Sequence, residues 1–482
     1  MLSALLLLEG RARTELWRRI IEVIEDYAAS VPKHRVAAEL DPEKIRALLR
    51  PFDFTRPVAP LEAVNFVAAG LWHYQAHAPH PRYFGLFNPA PTTMGVAADT
   101  LVAAFNPQLA NWSRSPFAIE IEQHLVRAFA SRFGFDPSKA DGTFASGGAE
   151  ANHTALLAAL TAGFRDFPRR GVRALAAQPV IYVSSEAHDS FLKAARLTGL
   201  GTDAVRKIPV DDQLQMDLEA LVSRLHRDRQ EGFAPAMVVA TAGTTTAGVV
   251  DPIVGIADIA AREKIWFHVD AAWGGAVVLV PELRHLLEGI ERADSITFDA
   301  HKWLSVPMGA GLFLTRHPDI LARTFHVPAD YMPRDALGLD VIDPYVHSIQ
   351  WSRRFIGLKV FLSLAVAGWD GYAATIRQMV SLGNRLRAEL KASGWEVVNK
   401  TALPLACFVE RQHPQGRSAA YLEAVARKIV SSGEAWISAT CLAGSTPALR
   451  ACITNYRTQA EDVQALVDAL NRARDQLQAV SA

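Results

Sequence analysis

The stretch Ser295-Ile296-Thr297-Phe298-Asp299-Ala300-His301-Lys302-Trp303 ends a short apolar run with a lysine. An ammonium ion is strongly hydrated, so a lysine driven out of water tends to lose its proton and becomes a nucleophile able to form imines with carbonyl compounds. Asp270 stands 32 residues before Lys302 and closes a second apolar run, Ile265-Trp266-Phe267-His268-Val269, with Ala271 and Ala272 after it. A carboxylate at a buried strand end needs donors or a cation, and a protonated pyridine nitrogen is one such cation. The two alanines leave room beside it for a flat ring. Ser146-Gly147-Gly148-Ala149-Glu150 precedes an Ala/Leu-rich helix, where small residues and free N–H groups favour an anion.

His188 follows the run Val180-Ile181-Tyr182-Val183, and Thr244-Thr245-Thr246 follow Ala240-Thr241-Ala242-Gly243. Taken singly, each stretch has a plain explanation: a tight turn for the glycines, a helix cap or solvated end for His188, turn hydroxyls for the threonines. A metal site is not expected, because no His/Cys/carboxylate set at ligand spacing accompanies Asp270. In chain order the set supplies an anion cradle, a ring-stacking group, a cation-pairing carboxylate and an imine-forming lysine. That is the inventory for pyridoxal 5'-phosphate.

The elements that must position these residues alternate. Short β-branched runs at 179–184, 236–241, 265–270, 294–299 and 310–315, separated by helical patterns, predict a mainly parallel sheet buried on both faces. In such sheets sites form beyond the carboxyl ends of the strands. The fold class is therefore α/β, with domains expected at 1–89 (helical), 90–375 (large α/β) and 376–482 (small α+β). Amphipathic patterns predict helices over 14–30, 42–50 and 59–72, which lack a core of their own and must pack on the main domain or on a second subunit. The segment His80-Pro81-Arg82-Tyr83-Phe84-Gly85-Leu86-Phe87-Asn88-Pro89 reads as a loop too apolar to lie open. The last part reads as strands 395–399, 405–410, 435–441 and 449–454 with helices over 418–431 and 459–478.

Lys+Arg and Asp+Glu both number 50, so charge gives no reason to expect nucleic acid as a partner. The opening Met1–Leu8 run is too short to span a membrane and has no basic residue ahead of it. Cys407, Cys441 and Cys452 lie in apolar segments without paired spacing, which predicts buried, reduced thiols and a cytoplasmic protein.

On these motifs the chain resembles the group II pyridoxal-phosphate-dependent amino-acid decarboxylases, a family that includes aromatic-L-amino-acid, glutamate and cysteine-sulfinate decarboxylases. The most specific matches are His268-Val269-Asp270-Ala271-Ala272 and His301-Lys302-Trp303. The resemblance implies the aminotransferase-like (type I) fold and a homodimer with sites at the subunit interface. It implies Lys302 bonded to the cofactor, Asp270 on the ring nitrogen, His188 stacked on the ring, Gly148 and Ala149 on the phosphate, and Thr245, Ala272 and His301 lining the cofactor. Tyr331, 29 residues after Lys302 in a lid-like stretch, stands where the aromatic-type enzymes carry a mobile catalytic tyrosine. Relatives that make aldehydes have phenylalanine there. Gly85-Leu86 replaces the Asn-Gln pair that serves an acidic side chain, and Trp72, Leu86, Phe87 and Trp351 offer an apolar wall. An aromatic substrate is therefore expected. A 2,4-diaminobutyrate-like substrate, an aldehyde synthase or carbon–carbon lyase on the same scaffold, and a non-catalytic cofactor-binding protein are the alternatives.

Overall fold

The structure, a computed structural model, describes residues 6–481 except 330, 333–335 and 337. A seven-stranded sheet forms the centre, built from β1 (Asp141–Ala145), β2 (Pro179–Ser184), β3 (Val205–Ile208), β4 (Ala234–Thr241), β5 (Trp266–Asp270), β6 (Ser295–Asp299) and β7 (Gly311–Thr315). Their spatial order is β1-β7-β6-β5-β4-β2-β3. The pairs from β3 through β6 are parallel, while β7 runs antiparallel to both β6 and β1. Strands β2, β5 and β6 are buried at every position, which is why they read as continuous rather than alternating runs.

Register places the chemistry. Thr241 on β4 pairs with Asp270 on β5, and Asp270 pairs with Thr297 on β6, so the carboxyl ends of three strands lie side by side. The helix Gly148–Gly163 crosses beneath them. Its Ala151, Ala155, Ala158 and Ala159 are all buried, and small side chains let the helix lie close to the sheet.

Four further strands, β8 (Trp395–Val397), β9 (Leu405–Glu410), β10 (Ser438–Leu442) and β11 (Thr446–Cys452), make a separate antiparallel sheet in the order β10-β11-β9-β8. One long helix, Gly357–Ala392, joins the two sheets and turns at Gly368, whose φ of 66° suits a residue without Cβ. It spans residue 375.

The N-terminal helices form at Gly10–Ser30, Pro42–Leu49 and Pro60–His73, and none has a buried residue. The His80–Pro89 segment is tied to the small sheet by Phe84 N–H donating to Trp436 O and Cys452 N–H donating to Phe84 O. Phe84 and Phe87 are buried as expected, and Leu86 is exposed.

Two expectations need correction. Cys407 and Cys452 are buried, but Cys441 is exposed, because β10 is an edge strand whose alternate side chains face outward. The stretch from Thr315 to about Asp343, whose sequence has few strand or helix signals, nevertheless contains a helix, Ile320–Phe325, held by the buried Ile320 and Leu321. Asp330 and Pro333 of that stretch, like Met1–Leu5 of the opening run, lie outside the described residues.

Candidate active site

Lys302 emerges one turn after β6, where backbone bonds from Lys302 N–H to Asp299 O and from Ser305 N–H to Lys302 O close tight turns. Its Nζ lies 3.0 Å from Asp299 Oδ2. It also sits 5.8 Å from the centroid of the Phe87 ring, which stacks on Trp273 at 4.5 Å. The wall of the cavity around Lys302 includes Gly148, Ala149, His188, Thr245, Asp270 and Ala272. Seven predicted residues, those six and Lys302, are thus brought together from five separate segments. His301 lies just behind: Cε1 would be 3.5 Å from a Cβ on Gly147. Its Nδ1 accepts from Ala310 N–H at 3.2 Å, and burial disfavours its protonated form.

Asp270 is held by a relay legible only in three dimensions. Its Oδ1 accepts from Ala272 N–H at 3.1 Å and its Oδ2 from Asn152 Nδ2 at 2.8 Å. Asn152 stands one turn into the helix Gly148–Gly163, and its Oδ1 is 3.2 Å from His268 Nε2. An amide oxygen only accepts, so Nε2 of His268 carries the proton. Its Nδ1 then accepts from Ser295 Oγ at 2.8 Å, and Ser295 accepts from Trp266 Nε1 at 2.8 Å. Every donor in this chain points one way, and the result is a fixed carboxylate on the cavity wall.

His268 is wholly buried, and desolvation pushes it down to about 4. A histidine held below its ordinary value near 6.5 stabilises the fold above that value, and the contribution is lost as pH falls through about 4. The full effect is on the order of 3 kcal/mol. The urea midpoint is expected to fall between pH 6.5 and about 4, and His268→Asn is expected to flatten that fall. An equally steep loss in the variant would assign the acid sensitivity elsewhere.

The anion cradle is open. Gly148 and Ala149 begin their helix, and their N–H groups have no hydrogen-bond partner among the described residues. A Cβ on Gly148 would come within 2.8 Å of Asp299 Oδ2, so a side chain there would have to displace that carboxylate. Glu150 braces the turn, accepting from Ser146 N–H at 2.9 Å and from Gln350 Nε2 at 2.7 Å. Free amides at a helix N-terminus, a nearby lysine and a fixed carboxylate across the cavity fit a phosphorylated pyridine aldehyde.

Sequence reasoning missed Arg450. It is buried on β11, where Nε donates to Thr245 O and Nη1 to Gly85 O, both at 2.8 Å. Its guanidinium lies 4.9 Å from the Phe87 centroid, and Nη2 is buried without a hydrogen-bond partner among the described residues. Phe87 therefore has two cations against it, Lys302 and Arg450. The other predicted pocket residues are elsewhere in the single chain. Trp72 packs edge-on against Tyr27 and His34, and Leu86 is open to solvent. Tyr331 is exposed and stacks on Trp351 at 6.0 Å, and Tyr345 lies on the same indole at 5.2 Å.

A lysine after β6, a buried carboxylate at the end of the neighbouring β5 and an anion cradle after β1, all lining one cavity, define a pyridoxal-phosphate enzyme. Residues 65–411 match the model of the pyridoxal-dependent decarboxylase conserved domain. The chain is 30% identical over 470 residues to an aromatic-L-amino-acid decarboxylase of Bacillus atrophaeus, covering 96% of this chain and 95% of the relative. It is 34% identical over 389 residues to an L-2,4-diaminobutyrate decarboxylase of Rhizobium meliloti, covering 80% and 76%. Among solved structures, Oryza sativa TDC with PLP and tryptamine superposes with a TM-score of 0.90 at 25% identity, covering 98% of this chain and 99% of that one. The chain belongs to the pyridoxal-dependent decarboxylases, carboxy-lyases that act on amino acids.

Proposed function

We propose that the protein decarboxylates an aromatic L-amino acid to its amine, as a cytoplasmic homodimer. The observation that carries this reading is Phe87, an apolar plate lying against both Lys302 and the guanidinium of Arg450, whose Nη2 has no hydrogen-bond partner among the described residues. Gly85 supports it: a Cβ there would collide with the Trp436 ring, so the polar side chain that serves acidic substrates has no room. The likeness to the Bacillus atrophaeus enzyme over nearly the whole chain points the same way.

When bound, pyridoxal 5'-phosphate supplies a ring that accepts the electron pair left as the carboxyl group departs. Lys302 would hold the cofactor through its side-chain amine. Asp270, fixed by Asn152 and Ala272, would keep a proton on the ring nitrogen. His188 would face the ring, Gly148 and Ala149 would hold the phosphate, and Thr245, Ala272 and His301 would fill the remaining wall. Arg450 grips the substrate carboxylate through Nη2, with Phe87 keeping that end dry, which favours loss of charge to carbon dioxide. Arg450→Gln is expected to raise KM by about tenfold or more with the cofactor spectrum retained. An unchanged KM would remove Arg450 from substrate binding.

Tyr331 delivers the proton to Cα when its segment leaves the Trp351 ring and closes. Tyr331→Phe is expected to keep the bound-cofactor spectrum and lose about 100-fold or more of amine production. Undiminished amine release would end that role. Trp72, Leu86 and Trp351 complete the pocket with a second chain. The exposed Trp17, Ile21 and Ile24 of the first helix, and Leu101 and Phe105 of the helix Thr93–Phe105, supply the apolar face for that partner.

The test is a screen of the aromatic amino acids, 2,4-diaminobutyrate, glutamate and cysteine sulfinate for carbon dioxide release, with amine and aldehyde products separated. Preferred turnover of an aromatic substrate to amine supports the reading. Preference for 2,4-diaminobutyrate would favour the function named for the Rhizobium meliloti relative.

A further inference from the structure

The hairpin of β10 and β11 carries Arg450 to the cavity. β10 is the outer strand of the small sheet, so the hairpin is flanked on one side only, by β9. Its turn, with Ala443 at φ 48° and Gly444 at φ 68°, is exposed. Among the described residues that turn makes one hydrogen bond outside the hairpin, from Ala443 N–H to Glu186 Oε1 at 2.9 Å. Glu186 lies two residues after β2 and is 7% exposed. Its Oε2 accepts from the Thr246 hydroxyl. Both carboxylate oxygens are thus engaged by neutral donors, one on the hairpin turn and one on the loop after β4.

Arg450 meets that same loop, where its Nε donates to Thr245 O, one residue before Thr246. One carboxylate therefore sets the hairpin turn against the loop that the guanidinium must reach. Arg450 stands four residues beyond Thr446, where β11 begins. That is about 14 Å at ~3.4 Å per residue, so a tilt at the turn moves Nη2. The loop keeps holds of its own without Glu186: the Cys407 thiol donates to Thr246 O and Asn399 Nδ2 to Ala247 O. The turn that carries His188 rests on Ser184, which accepts from the Glu186 and Ala187 N–H groups and not from the Glu186 side chain. Removing the carboxylate frees the hairpin turn and leaves the cavity wall standing.

We propose that Glu186 is a positioning residue for Arg450, fixing the hairpin turn so that Nη2 meets the carboxylate of the incoming amino acid. This rests on the role of Arg450 given under Proposed function. The tie needs an acceptor for Ala443 N–H and a partner for the Thr246 hydroxyl, and it needs no charge. Glutamine supplies both, since its oxygen accepts and its amide N–H donates to a hydroxyl oxygen.

The test uses the full-length, cofactor-loaded enzyme and the amino acid it turns over best. Glu186→Ala is expected to lower kcat/KM by about tenfold, and Glu186→Gln to stay within about threefold of the wild type. Inhibition by the corresponding amine, which has no carboxylate, is expected to be the same in both variants as in the wild type, and so is the visible absorption of bound cofactor. In an Arg450→Gln background, Glu186→Ala is expected to produce no further loss, because residues acting as a unit are not additive. A merely structural role would weaken acid and amine alike and lower both backgrounds equally. Either result overturns the proposal, as does failure of glutamine to preserve turnover. Should the alanine variant fold poorly, Thr246→Val removes one arm of the tie and is expected to lower kcat/KM by about threefold, with no change there equally overturning the proposal. An unchanged KM in Arg450→Gln alone overturns the role of Arg450 and this proposal with it. A raised KM there, with Glu186→Ala unaffected, overturns this proposal only.

Discussion

Lys302→Ala is expected to abolish the visible absorption of bound cofactor and to lower carbon dioxide release by at least about a thousandfold, since a nucleophile and its chemistry are lost together. Borohydride should then trap no cofactor on the chain. The substitution also strips Asp299 of its cation, and a buried carboxylate left alone is destabilising by a few kcal/mol. Lys302→Arg separates the two effects. Guanidinium restores a positive charge beside Asp299 but forms no imine under these conditions, so stability should return while absorption and turnover stay lost. Recovery of turnover with arginine would mean that charge alone, and not a covalent bond, is what position 302 supplies.

Asp270→Asn should follow in size, with kcat down about a hundredfold or more, the scale seen when one preorganised electrostatic group is removed from a catalytic site. The geometry explains why a near-isosteric change costs so much. Asn152 Nδ2 and Ala272 N–H both donate to this carboxylate. An amide in its place turns an N–H toward one of them and carries no charge to keep the ring nitrogen protonated. Asp270→Glu keeps the charge but lengthens the arm, so a partial loss is expected. A kcat unaffected by Asp270→Asn would break the link between this carboxylate and the ring.

Strand ends were legible because parallel strands buried on both faces leave continuous apolar runs; β2 ends where the sequence pattern does, at Ser184. Strands β1 and β3 were not read as strands. β3 is a four-residue edge strand carrying Arg206 and Lys207, and β1 opens with Asp141 and Gly142, so neither has the apolar signature. The cavity-lining residues could be read locally, because Lys302, Asp270 and Gly148 each sit at a strand or helix end with a recognisable neighbourhood. Asn152 and Arg450 could not. An asparagine one turn into a helix and an arginine within a strand look like ordinary surface residues, and their meaning lies in partners 118 and 205 positions away. A signal did exist for Arg450: a charged residue inside the apolar pattern Leu449–Cys452.

Arg450 fastens Thr245, which follows β4, to Gly85 in the segment ahead of the large sheet, reaching back 205 and 365 residues along the chain. During translation Lys302 and both carboxylates leave the ribosome long before this arginine does. A prematurely ended product therefore carries Lys302, Asp270 and Asp299 without the guanidinium that joins Gly85 to Thr245. The tie between these two distant segments is made only when the last strand of the small sheet is laid down.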